Sequence, residues 1–228
     1  MNCYPLLLLF IIVVSCQEKN HSVKGHLYTT RVANETPDTA MHEIGYSEFI
    51  PDAVKNVRIE RLNLIHAYAI GEQKIVIGSY ASADGYPAPP DSENDYGNRL
   101  FLLDGKDNIV FRTRGLLDTY IYNPHFFRND QNDKMIIICE MAVGSYCGGD
   151  VYLLEKGRIK YIGVIDIEGS EMDQRLLSFI RMKEKRGRII FNFDADSLLL
   201  HPGSENEKII KNEHVRYVYD SNGLKIFR

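Results

Sequence analysis

The chain has 228 residues, of which 44% are hydrophobic and 25% charged, the balance of a folded globular protein and not of a disordered one. Its 31 acids outnumber its 27 bases, giving a net charge of -4. That argues against nucleic acid as a partner, which requires a densely basic surface to displace counterions from phosphates. Fourteen Tyr and ten Phe, with no Trp, tilt the composition towards β structure.

The first element is not part of the fold. Residues Leu6 to Val14 form an unbroken apolar run of nine, the core length of a signal peptide and about half of what a bilayer span needs. The run leads into "VVSC", ending at Cys16. This stretch resembles the lipobox of bacterial lipoproteins, with aliphatic residues, Ser15 and then cysteine. The resemblance implies that residues 1–15 are removed, that Cys16 is lipidated with a palmitate-type acyl chain, and that the protein is anchored to a membrane. It covers about the first 17 residues, and "MNCYP" departs from the pattern in having no Lys or Arg. Gln17 is not the aspartate of the inner-membrane retention signal, and "CQEKN" resembles the start of surface-exported lipoproteins of the Bacteroidota. The implied location is the outer membrane, facing the periplasm or the cell exterior. Residues 16–50 are mostly polar and fit a tether between anchor and domain; within them "DTA" (Asp38 to Ala40) resembles a short O-glycosylation signal of the same bacteria.

Residues 51–228 are expected to form a single β domain. From residue 62 the chain repeats a pattern of strand, tight turn, strand, longer loop, strand, tight turn, strand, over residues 62–113, 121–163 and 176–228. The turns carry the Gly, Asn and Asp that hairpins require. Lys74, Lys134 and Arg188 open the second strands; Phe101, Tyr152 and Tyr217 hold one place in the third. The second strands are apolar on successive positions ("IVI", "IIIC", "IIF"), the mark of strands buried on both faces. The fold class is therefore all-β, in antiparallel four-stranded repeats with the period of β-propeller blades. The alternative is another antiparallel meander, a barrel or a sandwich. Residues 20–61, including "VKNVRIE", are the candidate for a degenerate fourth repeat. Helical signal is confined to "SEMDQRLLSFI", which also reads as turn and strand.

Motifs for nucleophilic or phosphate chemistry are missing: no G-x-S-x-G elbow and no phosphate loop occurs. "HEIGY" begins like a zinc-protease helix, but Tyr46 stands where the second histidine must supply a ring nitrogen. The acids at positions 91, 93 and 95 of "DSENDYG" alternate as in a calcium loop, yet the glycine comes one residue late and no closing glutamate follows, so a solvated acidic loop is the expectation. No metal and no cofactor is assigned.

Carboxylates on the second strands are the better candidates. Counted from the opening basic residue, Tyr80, Glu140 and Asp194 share one position, and Asp196 lies two further on, on the same side of the strand. Arranged around an axis they would gather at one end of it with Tyr146. Such a group suits a sugar or peptide ligand, or an acid and base pair; the plainer alternative is hydrogen-bonded caps at strand ends. Tyr96, in the Pro- and Tyr-rich loop 83–98, is a further ligand-binding candidate, and 197–213 is the second long loop expected to carry binding.

With Cys3 lost and Cys16 lipidated, Cys139 and Cys147 remain. The spacing is wrong for C-x-x-C, and a four-ligand metal site lacks two soft donors. A hairpin centred on Val143 would place the two opposite each other, which makes a structural disulfide the first reading and two free thiols the second. The functional expectation is a lipid-anchored, non-catalytic module that binds protein or glycan. Its alternatives are a glycan hydrolase using Glu140 with Asp194 or Asp196, and a lipoprotein inhibitor or immunity factor against a toxin.

Overall fold

The computed structural model describes residues 43–80, 95–116, 119–171 and 174–228. Cys16 and most of the tether and of loop 83–98 lie outside them. The described chain is all-β, arranged in four antiparallel sheets, with one single-turn helix.

The first sheet joins β3 (Leu62–Ile70), β4 (Gln73–Tyr80), β5 (Arg99–Leu103) and β6 (Ile109–Arg112) in chain order. The second joins β7 (Ile121–Arg128), β8 (Met135–Val143), β9 (Ser145–Glu155) and β10 (Arg158–Ile165), with β2 (Ser47–Phe49) added beside β7. The third joins β12 (Ile180–Lys185), β13 (Arg188–Phe193), β16 (Arg216–Asp220) and β17 (Gly223–Phe227), with β1 (Ile44–Gly45) beside β12. The short turns follow their residues. Lys156–Gly157 and Arg186–Gly187 both hold positive φ at two successive positions, the geometry of a type I′ hairpin, and a glycine takes the second place each time.

The second sheet lies between the other two. Ile136, Ile138, Val151 and Leu153 pack with Met182, Ile189, Phe191 and Tyr217 of the third sheet. Ile137, Cys139, Tyr152 and Leu154 pack with Ile75, Ile77, Leu100 and Leu102 of the first. Side chains alternate across a strand, so a strand buried on both faces must be apolar at consecutive positions, as "IIIC" is. The outer face of the first sheet is covered by Val57, with Val54 and Ile59.

Three expectations are corrected here. Residues 43–61 form no sheet of their own; β1 and β2 extend two existing sheets, and Tyr46 between them donates to Glu184 Oε2 at 2.9 Å. The stretch 197–213 is not a free loop: β14 (Ser197–Leu200) and β15 (Lys208–Lys211) pair with each other and with β11 (Ile167–Gly169) in a small fourth sheet. Finally, the repeat register shifts by one in the first sheet. Phe101, Tyr152 and Tyr217 lie opposite Val76, Ile137 and Phe191. Gln73, not Lys74, therefore answers to Arg188, because each follows a two-residue turn. The residue equivalent to Glu140 and Asp194 is Ser79, and Tyr80 falls on the opposite face.

Candidate functional site

Two polar constellations lie near the segment that connects the second sheet to the third. The first surrounds Glu140 near the end of β8. Glu140 is 1% exposed, and its Oε1 has no hydrogen-bond partner among the described residues. Its Oε2 lies 3.4 Å from Arg175 Nη1, just before α1 (Leu176–Phe179). Burial pushes the Glu140 carboxyl up, against the opposing pull of Arg175 and His125. The Arg175 guanidinium also stacks 5.1 Å from the Tyr146 ring centroid and donates to its hydroxyl at 3.1 Å.

Glu168 completes this group. One oxygen accepts the Gly148 N–H at 2.7 Å and the other the Leu176 N–H at 2.8 Å, so a single buried carboxylate joins β9 to the start of α1. Burial lifts it to about 7, with the nearby Glu140 adding to the rise and the two N–H donors opposing it. Gly148 allows the join: its φ is +85°, and a Cβ there would collide with the Ile165 carbonyl.

The second constellation is an open cavity of about 440 Å3. Asp194, Ala195, Asp196 and Ser197 form one wall, and Ser170, Glu171 and Gln174 the other, with Phe193 behind. Asn212 fixes the first wall. Its amide donates to the carbonyls of Phe193 and Ala195 at 2.7 and 2.8 Å, and its own N–H donates to the Asp196 carbonyl. The walls meet where the Ser170 and Ser197 hydroxyls hydrogen-bond at 2.5 Å. Asp194 is 60% exposed and ion-paired with Arg181 Nε at 2.9 Å.

The expected carboxylates and tyrosines thus divide into three places. Asp194 and Asp196 share the cavity; Glu140 and Tyr146 share Arg175 and do not line that cavity. Tyr80 lies elsewhere, edge-on to Phe101 at 5.7 Å and beneath the buried Arg99 guanidinium at 5.1 Å. Tyr96 is close to that same arginine through its backbone, which is packed against Gly115. Asp95, read as part of an acidic loop, ion-pairs with Arg99 and Arg112 and accepts the Gly115 N–H at 2.7 Å. Among the described residues no group of three or more acid, His or Cys side chains is placed to hold a metal ion.

The expected disulfide is not formed; Cys139 and Cys147 are free thiols. The β8–β9 hairpin pairs Val143 with Ser145 across Gly144, one residue further on than expected, and a bulge follows between Glu140 and Ala142. Cys139 therefore faces Asp150. It is fully buried against the first sheet, and burial raises its thiol well above the ordinary range. Cys147, on the outgoing strand, is raised to about 11 by burial and by Glu168 and Asp166.

One polar network was not anticipated. Asp150 is buried between the first two sheets and accepts hydroxyls from Tyr122 at 3.0 Å, Tyr152 at 3.3 Å and Tyr161 at 3.2 Å. An acid between a glycine and a valine in an otherwise apolar strand was its only signal in the sequence.

No protein-family model, curated protein or solved structure matches this chain.

Proposed function

We propose that the chain is a lipid-anchored extracytoplasmic binding module without catalytic activity, and that a glycan occupies the cavity beside Asp194 and Asp196. The cavity's lining carries the reading. Carboxylates, serine hydroxyls and a carboxamide crowd one opening, a set that both accepts from and donates to sugar hydroxyls. A hydrolase reading has less support, because a glycosidase needs an acid and a second carboxylate flanking one bond. The carboxyl held towards its neutral form, Glu140, points to Arg175 and does not line the cavity. The stacking of three sheets that share a four-stranded antiparallel pattern, two of them extended by a fifth strand, supports a propeller-like arrangement of blades. The apolar run and Cys16 support outer-membrane anchoring, with the domain in the periplasm or at the cell surface.

Screening the full chain on a glycan array tests the ligand. The expected result is capture of a defined glycan, weakened about tenfold or more in Asp194→Asn or Asp196→Asn and unchanged in Glu140→Gln. Release of new reducing ends from the captured glycan, lost in Glu140→Gln, would replace binding by hydrolysis. For the anchor, growth with an alkyne palmitate analogue should label the parent and leave Cys16→Ala unlabelled; equal labelling of both rejects it.

A further inference from the structure

We infer that a second ligand site, for a small amphipathic anion, lies between β10 and β17, the last strands of the second and third sheets. A cavity of about 360 Å3 opens there. Its walls are apolar: Ile162 and Val164 from β10, Leu224 and Ile226 from β17, with the buried Tyr217 ring behind. Small-molecule sites have this character, a mostly apolar concavity of roughly 300–1,000 Å3 with a few polar groups that fix orientation.

The gap is built into the backbone. The β9–β10 register slips between Tyr161 and Gly163, an irregularity that bends β10 at the cavity wall. Gly163 has a φ of +145°, and a Cβ there would lie 3.0 Å from the Leu224 side chain, so only glycine lets β10 turn beside β17 without a side chain pressing into the cavity wall.

Charge selects the occupant. Four charged or titratable groups line the cavity besides Tyr217. Asp166 and His201 are hydrogen-bonded to each other, with His201 Nδ1 2.6 Å from Asp166 Oδ2. Lys225, half-buried on β17, and Arg228, exposed beyond it, have no acidic partner among the described residues. Arg228 is close enough to pull on the Tyr217 phenol. An apolar pocket with two unanswered cations at its rim suits a short hydrocarbon or aromatic body that carries one carboxylate or phosphate. The body would fill the space between Val164 and Leu224, and the head would pair with Lys225 and Arg228. A neutral molecule of the same shape would leave both cations unpaired, and a cationic one would be repelled.

Titration calorimetry of the full chain with octanoate, octan-1-ol and octylammonium tests the site. Octanoate should bind at least about tenfold more tightly than octan-1-ol, and octylammonium should give no measurable heat. Lys225→Met/Arg228→Met should erase the preference for octanoate over the alcohol. Val164→Phe, which fills the cavity from β10, should abolish binding of both. If Val164→Phe does not fold, as read by circular dichroism, the double variant alone carries the test. Equal affinity for acid and alcohol, no octanoate binding by the folded parent, or an octanoate preference that survives in Lys225→Met/Arg228→Met overturns the proposal.

Discussion

Glu168 is the residue whose chemistry and structural role are most tightly joined. It is 5% exposed, yet each of its oxygens receives a backbone N–H, so the charged form is desolvated and hydrogen-bonded at once. Desolvation is the larger effect, and the carboxyl rises from its ordinary 4.5 to about 7. A carboxyl raised on folding binds its proton more tightly in the native state than in the unfolded chain. The resulting stability is fully present below about pH 4.5 and is lost as pH rises through about 7. The full span corresponds to about 3 kcal/mol. Urea unfolding at pH 5, 6, 7 and 8 should therefore show parent stability falling relative to Glu168→Gln across this range. The variant, with no proton to lose, lacks that component of the slope. A difference between parent and variant that stays constant with pH would show that Glu168 does not titrate there.

At the scale of elements, short apolar runs and the turn chemistry between them made the strands of the three large sheets legible, because both are local. "IIIC" between turn signals can be little other than a strand covered on two sides. Register was less legible. Counting from Lys74 missed the two-residue turn that starts β4 at Gln73, and a slip of one residue sends a side chain to the opposite face. Tyr80 was lost from the site in this way, and the disulfide was lost to a one-residue error at Gly144 and the bulge behind it. β14 and β15 escaped notice because "SLLL" and "KIIK" are four-residue strands separated by a polar, glycine-containing turn. Within the site, Glu140 was visible as an acid closing an apolar strand. Glu168 and Arg175 were not, because their roles depend on contacts with residues 20, 29 and 35 positions away in sequence.

For the whole molecule, the second sheet is the part on which the others depend. Its two faces contribute to two separate cores, one shared with the third sheet and one with the first. Neighbouring residues of β8 serve opposite cores: Ile137 faces the first sheet and Ile138 the third, and both are fully buried. Removing either side chain to alanine should cost about 2–5 kcal/mol, from lost burial and the cavity left behind. If the sheets were separable units, each substitution would loosen one core and leave the other intact, producing a transition in two stages. Sharing one central sheet predicts otherwise: β8 cannot leave one core without leaving the other. Ile137→Ala and Ile138→Ala should each shift a single cooperative urea transition. Tyrosine near-ultraviolet and backbone far-ultraviolet signals should remain superimposed, since the buried tyrosines Tyr122, Tyr152 and Tyr217 are divided between the two cores. Separation of the two signals in either variant would mean that the stack unfolds sheet by sheet.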